Sequence, residues 1–242
     1  CLDYFGWIPA NSIMKVSKEE FLSNRTFDFA TYINRQKAVG TYTIDMGTRM
    51  PIVSEDNRSF KLAMPIAGDT YKTTTISLDK SEAVKSYLPF SQANLIKQAL
   101  KFEGEKYGWG HSNNTRDCSG FIRDVYRSFG IIISRDAGQQ AKDIIGKNID
   151  FSPYTSRSSK EGFLLKQKPG ICMYMQGHVM MYLGKDANSR PNMVHQYGYA
   201  YVNGKKTGVF RNEITDVAKL VTSSSAFIDY VTSGRDFTSL SY

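Results

Sequence analysis

The sequence predicts an α+β protein, in which a helix that begins at a cysteine packs on an antiparallel sheet and a small β-barrel precedes both. Three observations predict this fold. An amphipathic helical pattern begins at Cys118, two short apolar runs that each contain a histidine follow it, and β-rich runs separated by turn residues occupy residues 38–77. The cysteine and the histidines are the residues on which the functional interpretation depends.

A helix is predicted to begin at Cys118 and to end before Gly130. Its apolar residues recur at helical spacing: Phe121, Ile122, Val125, Tyr126 and Phe129. A thiol at a helix N-terminus meets unpaired N–H groups and the positive end of the macrodipole, so we expect Cys118 to ionise more readily than a free cysteine. Thiolate is the nucleophilic form, which makes Cys118 a candidate nucleophile; a small buried hydrophobic residue is the alternative role.

Two of the three histidines lie in predicted neighbouring strands. His178 opens the apolar run 177–184, and His195 lies in the run 192–197 beyond a turn. Neighbouring strands bring both imidazoles to one end of a sheet, facing the helix that presents Cys118. Because a nucleophilic cysteine needs a base and a third group that orients the base, we expect His178 to be the base and His195 the orienting residue. Two structural histidines are the alternative.

The order of these motifs resembles NlpC-type cell-wall cysteine peptidases. The resemblance runs from about Tyr107 to Tyr201 and rests on five pieces: Tyr-Gly-Trp-Gly at 107–110, Asp-Cys-Ser-Gly-Phe at 117–121, Ser-Arg-Asp at 134–136 followed by Gln139 and Gln140, Gly-His-Val at 177–179, and His195. It implies a papain-like fold and hydrolysis of peptidoglycan stem peptides between γ-D-glutamate and the diamino acid. It also implies the same roles for Cys118, His178 and His195.

The resemblance implies four further functional residues. Tyr107 is expected to donate its hydroxyl near the oxyanion, beside the N–H groups at the start of the helix. Asp117, Ser119 and Asp136 occupy positions that hold the free amine of the substrate in related enzymes.

Three positions depart from the family pattern. Ser134 stands where proline often precedes Arg-Asp, and Ala137 stands where a serine commonly follows, which removes a hydroxyl from the expected pocket. His111 replaces the last glycine of a Trp-Gly-Gly pattern. We expect His111 at the surface; a pocket residue or a rival orienting group are the alternatives. These changes concern specificity more than chemistry.

Upstream, short β-rich runs predict a small antiparallel barrel. The runs are residues 38–45, 49–53, 60–66 and 71–77, and glycine, aspartate and asparagine lie between them. In the family just named, bacterial SH3-like barrels often precede the peptidase, so we expect an SH3-like domain over residues 36–88. The peptidase domain is expected over 89–242, with a helix from Gln92 to Phe102 after Pro89.

The first residues form a separate segment. Tyr4–Pro9 resembles the last strand of another SH3-like barrel, and Lys15–Arg25 is expected to be a linker or a short helix, so residues 1–35 are interpreted as a remnant domain plus linker. Cys1 in place of methionine indicates truncation or processing. A lipid-anchored mature terminus is the alternative.

The amino-acid composition limits the classes of protein to which this chain is expected to belong. With 242 residues and 41 % hydrophobic content, the chain can bury one sizeable core and a smaller one. The net charge of +8 is spread over scattered lysines and arginines, which is typical of a solvated basic surface or of attraction to anionic wall polymers. No RNA-binding motif is visible, so no nucleic-acid partner is expected. No apolar run approaches about 18 residues, so no transmembrane segment is expected.

Three widely separated cysteines do not indicate a disulfide framework. Cys172 lies in an apolar run and is expected to be buried and inert; a bridge to Cys118 is the alternative. No pair of cysteines has CxxC spacing and no HExxH motif occurs, so no metal and no cofactor are expected.

These observations together predict a γ-D-glutamyl-L-diamino-acid endopeptidase. Its expected partners are peptidoglycan stem peptides or their fragments, with short peptides that carry a free N-terminal L-Ala favoured. It is expected in the cell envelope or secreted, with cytoplasmic peptide recycling as the alternative. Two other functions stay open: a thiol acyltransferase or amidase on the same scaffold, and a non-catalytic cell-wall-binding protein.

Overall fold

The computed structural model describes residues 7, 9, 10, 13, 15–23, 28–66 and 72–239. The described residues divide into two compact units, which we call the N-terminal unit (those up to residue 89, with 127–130) and the C-terminal unit (90–126 and 131–239). Cys1 and most of the predicted segment Tyr4–Pro9 lie outside the described residues. A short helix, α1 (Lys18–Ser23), lies within the predicted linker 15–25.

The N-terminal unit is built from antiparallel strands. They are β1 (Phe29–Tyr32), β2 (Gln36–Val39), β3 (Tyr42–Asp45), β4 (Arg49–Glu55), β5 (Ser59–Ile66), β6 (Lys72–Asp79) and β7 (Ala83–Lys85). Five of them form one sheet in the order β6-β5-β4-β1-β7, and β2 pairs with β3. Alternate residues point inward, and a core forms around Tyr32, Phe60, Leu62 and Leu78. The antiparallel strands are as predicted, and their assignment to an SH3-like barrel stays a prediction.

Two details of this unit differ from the predicted pattern. The single strand predicted over residues 38–45 is wrong, because the chain turns at Gly40, where φ is +58°, and forms the hairpin β2–β3. Glycine adopts this left-handed conformation without the steric cost that a Cβ would add. In addition, β1 lies before the expected boundary at residue 36, yet it pairs with β4 and β7 in the same sheet.

The C-terminal unit combines helices with a six-stranded antiparallel sheet. Its helices are α2 (Gln92–Leu100), α3 (Cys118–Arg127), α4 (Ala137–Gln140) and α5 (Arg157–Leu164), with 3-10 segments at Trp109–Asn114, Phe227–Tyr230 and Phe237–Ser239. The strands are β8 (Lys147–Asp150), β9 (Cys172–Met175), β10 (His178–Lys185), β11 (Pro191–Val202), β12 (Lys205–Asp216) and β13 (Ser233–Asp236). The sheet order is β12-β11-β10-β9-β13-β8. Each predicted histidine strand is therefore found, and β10 and β11 pair antiparallel.

Helix α2 follows Pro89 as predicted, although it ends at Leu100 rather than at Phe102. The hydroxyl of Ser91 accepts a hydrogen bond from the N–H of Asn94 at 3.1 Å and so caps the helix start. No helix in the described part of the chain combines the length and the apolarity needed to cross a bilayer.

Helix α3 packs by the apolar face that its spacing predicts. Phe121, Ile122, Val125 and Tyr126 are fully buried. The Phe121 ring meets the edge of Phe102 with centroids 5.2 Å apart, and the Tyr126 hydroxyl donates to the carbonyl oxygen of Gly170. This packing fixes the N-terminal end of α3, where Cys118 lies.

Candidate active site

Cys118 is the first residue of α3 and is only 6 % exposed. Its sulfur accepts hydrogen bonds from backbone N–H groups, including that of Val179, the residue after His178. Burial and the neighbouring Asp117 carboxylate nevertheless raise the pKa of the thiol to about 11. The expectation of a readily ionised thiol is therefore wrong for the free protein, because desolvation outweighs the N–H groups of the helix start.

The two predicted histidines form a hydrogen-bonded line. His178 Nε2 lies 3.0 Å from His195 Nδ1, and His195 Nε2 lies 3.2 Å from the hydroxyl oxygen of Thr215. With both imidazoles protonated on Nε2, each Nε2–H donates along the line and Nδ1 of His178 keeps its lone pair. This arrangement makes Nδ1 the nitrogen of His178 that is able to accept a proton.

The surroundings of both imidazoles favour the neutral form. His195 is fully buried, stacks on Tyr197 at 4.1 Å between ring centroids and meets the edge of Phe227 at 4.8 Å. Burial lowers the pKa of His178 to about 4, and burial with the nearby His178 and Lys219 lowers the pKa of His195 well below its ordinary value. His195 is thus a neutral group that fixes the ring of His178 rather than a counter-charge.

Tyr107 is held beside the sulfur. Its backbone N–H donates to the carbonyl oxygen of Phe210 at 2.8 Å, and its side chain is hydrogen-bonded to Cys118. Burial, together with Cys118 and Asp117, raises the pKa of Tyr107 above its ordinary value. The phenol therefore keeps its proton at neutral pH and is able to donate a hydrogen bond.

Asp117 is a buried carboxylate, and each of its two oxygens accepts hydrogen bonds from the protein. One oxygen accepts from the N–H of Gly120 at 2.8 Å and from Arg135 at 3.0 Å, and the other accepts from the N–H of Gly110 at 3.0 Å and from Arg135 at 2.7 Å. Burial opposes ionisation, but these donors prevail and lower the pKa of Asp117. In the free protein both oxygens of Asp117 already accept hydrogen bonds from protein donors, and its expected contact with a substrate amine stays a prediction.

The other two predicted amine-binding residues differ in accessibility. The hydroxyl of Ser119 is buried between Asp117, at 3.4 Å, and the Arg135 guanidinium, at 3.1 Å. Asp136 stands at the N-terminal cap of α4, and its side chain is 53 % exposed. Of the three, only Asp136 offers a carboxylate to a ligand.

His111 is half-buried, so its expected surface position is wrong. Its Nδ1 lies 3.4 Å from Arg135 Nη2, and its Nε2 lies 3.7 Å from an Asp124 oxygen. The backbone at His111 is left-handed, with φ of +67°. Its ring also lies so close to Gly120 that a Cβ there would stand 2.7 Å from His111 Cε1, so a side chain at position 120 would collide with this ring.

Behind the nucleophile lies a buried ion-pair cluster. Arg116 is completely buried and donates to Asp124 at 2.9 Å and to Glu105 at 3.0 Å, while its guanidinium lies 5.3 Å from the centroid of Phe102. Thr215, Asp124 and Glu105 lie outside the motifs quoted above, and Arg135 lies inside the Ser-Arg-Asp motif without an expected role. The adjacency of Arg116 to one quoted motif and the place of Arg135 within another were the only signals for any of this network.

Cys172 is buried and unbridged, as expected for an inert core cysteine. Cys118 and Cys172 are both free thiols, so the alternative disulfide is absent. Burial raises the pKa of Cys172 to about 12. Within the described ranges, no three side chains among His, Cys, Asp and Glu come together as a metal site.

Comparison with known proteins finds a family model that matches the part of the chain holding this site. Residues 104–211, which contain Tyr107, Cys118, His178 and His195, match the model of the NlpC/P60 family. In fold, the chain is similar to an NlpC/P60 endopeptidase from Photobacterium damselae subsp. piscicida, with a TM-score of 0.69 at 19 % identity over 88 % of this chain and 52 % of that one.

Two curated relatives are similar to this chain over more residues than the family model matches. The γ-D-glutamyl-L-lysine dipeptidyl-peptidase of Bacillus cereus is 28 % identical over 79 % of this chain and 56 % of its own length. The protein of the same name from Bacillus subtilis is 27 % identical over 61 % of this chain and 48 % of its own length. The chain thus spans about half the length of the curated relatives that it matches.

Proposed function

We propose that this protein is a cysteine endopeptidase that hydrolyses peptidoglycan stem peptides at the bond between γ-D-glutamate and the diamino acid. It favours short peptides with a free N-terminal L-Ala. The NlpC/P60 match and the two relatives named for γ-D-glutamyl-L-lysine cleavage support the bond and the substrate class.

One observation carries the proposed chemistry: the hydrogen-bonded line from His178 through His195 to Thr215, beside a buried thiol. A pKa of about 11 for Cys118 and about 4 for His178 means that the resting pair is a neutral thiol and a neutral imidazole. The thiol therefore needs a general base in the attacking step, and His178 is held in the tautomer that provides one.

In the acylation step, His178 Nδ1 takes the thiol proton as the sulfur attacks the γ-glutamyl carbonyl carbon. A C–S bond forms, and the carbonyl π electrons move to oxygen. When the tetrahedral intermediate collapses, the C–N bond breaks and the imidazolium of His178 protonates the leaving amine of the diamino acid. His195 keeps accepting the Nε2–H of His178 throughout, so the ring does not turn away.

The developing oxyanion lies near hydrogen-bond donors. Backbone N–H groups at the start of α3 point toward the position of Cys118, and the Tyr107 hydroxyl, which stays protonated, is hydrogen-bonded to the same residue. Donors that are already oriented before the reaction lower the barrier without reorganising during it.

In the deacylation step, His178 removes a proton from water, which attacks the thioester carbonyl. The C–S bond breaks, Cys118 recovers its proton from His178, and L-Ala-γ-D-Glu leaves as the free acid. The exposed carboxylate of Asp136 binds the free α-amine of L-Ala, since Asp117 is already saturated by protein donors.

The remaining domain assignments are part of the same proposal. Residues 36–88, together with the adjoining strand β1, form an SH3-like domain, and residues 89–242 form the peptidase domain. The cell envelope or the exterior of the cell is the proposed location, because peptidoglycan is found there; peptide recycling in the cytoplasm is the other location for an enzyme on free peptides.

The decisive experiment is mass spectrometry of L-Ala-γ-D-Glu-diaminopimelate, and of its lysine analogue, after incubation with the wild-type protein and with Cys118→Ala. We expect L-Ala-γ-D-Glu to appear with the wild-type protein only. Cys172→Ala is the matched control, because it removes a free thiol outside the proposed machinery; it should retain the activity.

The other outcomes identify the rival functions. An acyl-Cys118 adduct without release of L-Ala-γ-D-Glu would favour an acyltransferase or amidase. Intact peptides together with wall binding that survives Cys118→Ala would favour a binding protein. A comparison of the free tripeptide with intact wall tests the preference for short peptides, since equal rates on both would contradict it.

A further inference from the structure

Arg135 contacts three side chains next to the nucleophile, and the proposed mechanism gives it no role. Its side chain is 11 % exposed and contacts both oxygens of Asp117, the hydroxyl of Ser119 and Nδ1 of His111. Two parallel N–H···O bonds to one carboxylate are the strongest geometry that an arginine forms. A buried arginine with so many partners is fixed in place.

Asp117 connects this arginine to the nucleophile. It immediately precedes Cys118, and its carboxylate accepts the N–H of Gly120 within the first turn of α3. A carboxylate in that place caps the helix, but it also lies beside the sulfur, where a negative charge opposes the formation of thiolate. The same side chain therefore supports the helix start and disfavours ionisation of Cys118.

We propose that Arg135 is a positioning residue for the nucleophile: it fixes and neutralises Asp117, and through Asp117 it determines how readily the Cys118 thiol gives up its proton. The proposal rests on Cys118 being the nucleophile of the proposed function, but it makes a prediction that needs no peptide substrate. A purely structural ion pair would not change how readily the Cys118 thiol loses its proton.

The other titratable groups around Cys118 do not replace this role. Tyr107, on the segment before the 3-10 turn, is a protonated phenol, and His178, on β10, is a neutral imidazole. Asp117 is a carboxylate whose charge opposes ionisation of Cys118, and Arg135 is its ionic partner. Without Arg135, the uncompensated charge of Asp117 would make the Cys118 thiol harder to ionise. Without the charge of Asp117, the thiol would ionise more easily.

The test is the rate of alkylation of Cys118 by iodoacetamide between pH 7 and 9.5, followed on the Cys118 peptide by mass spectrometry, which separates it from Cys1 and Cys172. In this range the rate follows the thiolate fraction, so a change of one pKa unit changes it about tenfold. We expect Arg135→Gln to slow alkylation by about three- to tenfold and Asp117→Asn to accelerate it. Arg135→Lys, which keeps the charge, should stay close to the wild-type rate.

A double variant separates this mechanism from general damage. In the Asp117→Asn background, Arg135→Gln should slow alkylation much less than it does in the wild type, because there is no carboxylate to compensate. Equal slowing in both backgrounds, or no slowing in either, would overturn the proposal. Arg190→Gln removes an arginine whose side chain is 60 % exposed and is the matched control, which should leave the rate unchanged.

Circular dichroism and thermal melting establish that each variant is folded. If Arg135→Gln does not fold, Asp117→Asn still decides the matter, since the proposal requires it to accelerate alkylation and an unchanged or lower rate contradicts it. Failure of the γ-glutamyl assay with a positive alkylation result would reject the substrate and keep the role of Arg135.

Discussion

His178 Nε2 lies 3.0 Å from Nδ1 of His195, whose ring is fully buried. The tyrosine that stacks on His195 and the phenylalanine that meets its face edge-on leave this ring no freedom to turn. In the proposed reaction, His195 therefore acts by holding one tautomer of His178 rather than by carrying charge.

Replacing His195 tests this role directly. We expect His195→Ala to lower kcat by about 10²- to 10⁴-fold, the range that a misoriented general base costs, with a smaller change in KM. His195→Asn keeps a side-chain acceptor and should lose less. Steady-state kinetics on the γ-glutamyl tripeptide measure both, and an unchanged kcat for His195→Ala would contradict the orienting role.

Replacing Thr215 is expected to lower kcat less than replacing His195 does. Thr215→Val keeps the shape and removes the hydroxyl that accepts from His195 at 3.2 Å. The loss of one hydrogen bond of about 1 kcal/mol corresponds to a fall in kcat of up to about tenfold. Thr207→Val, on the exposed part of β12, is the control. An equal kcat for both variants and the wild type would show that the Thr215 hydroxyl does not support His195 in the reaction.

The sequence predicted the parts of the site that local patterns encode. The helix at Cys118 and the strands with His178 and His195 follow from the spacing of apolar residues over short windows. Thr215 could not be found in this way, because its approach to His195 depends on the register between β11 and β12.

Charge and burial were the least predictable properties. The helix start suggested an easily ionised Cys118, yet burial and Asp117 raise the pKa of its thiol to about 11. Complete burial of Arg116 and partial burial of His111 are set by tertiary packing around α3, which no local pattern reports. Gly40 has β-rich residues on both sides, so only its left-handed backbone shows that the chain turns there.

The pH dependence of kcat/KM should show a broad plateau. Burial lowers the pKa of His178 to about 4, so lowering the pH through that value protonates the base and removes activity. Raising the pH through about 11 ionises the Cys118 thiol and removes the proton that His178 passes to the leaving amine. Measurements in overlapping buffers check the acidic limb. A limb near the ordinary histidine value of about 6.5 would indicate that His178 is not desolvated in the free enzyme.

Asp136 should determine recognition of the free N-terminus. Asp136→Asn keeps the shape and removes the charge that attracts an α-ammonium group, so we expect KM for L-Ala-γ-D-Glu-lysine to rise about three- to tenfold with little change in kcat. The N-acetylated tripeptide provides the control, because it has no ammonium group and should be cleaved equally by both proteins. A similar rise in KM for both peptides would mean that Asp136 shapes α4 rather than binds the amine.

Gly120 should be intolerant of even one added methyl group. A Cβ at this position would stand 2.7 Å from Cε1 of His111 and 3.0 Å from an Asp117 oxygen, so we expect Gly120→Ala to destabilise the fold by about 1–3 kcal/mol. Gly138→Ala in α4 is the matched control, because no atom lies within 4 Å of the added Cβ, and it should be neutral or slightly stabilising.

A second substitution distinguishes this clash from a loss of helix geometry. His111→Gly removes the obstructing ring and suits the left-handed backbone at that residue, so it should recover part of the stability that Gly120→Ala loses. Thermal and denaturant unfolding of the single and double variants gives the coupling free energy. Strict additivity of the two changes would show that the His111 ring is not what excludes a side chain at position 120, and the close packing of the 3-10 turn on α3 would then need another cause.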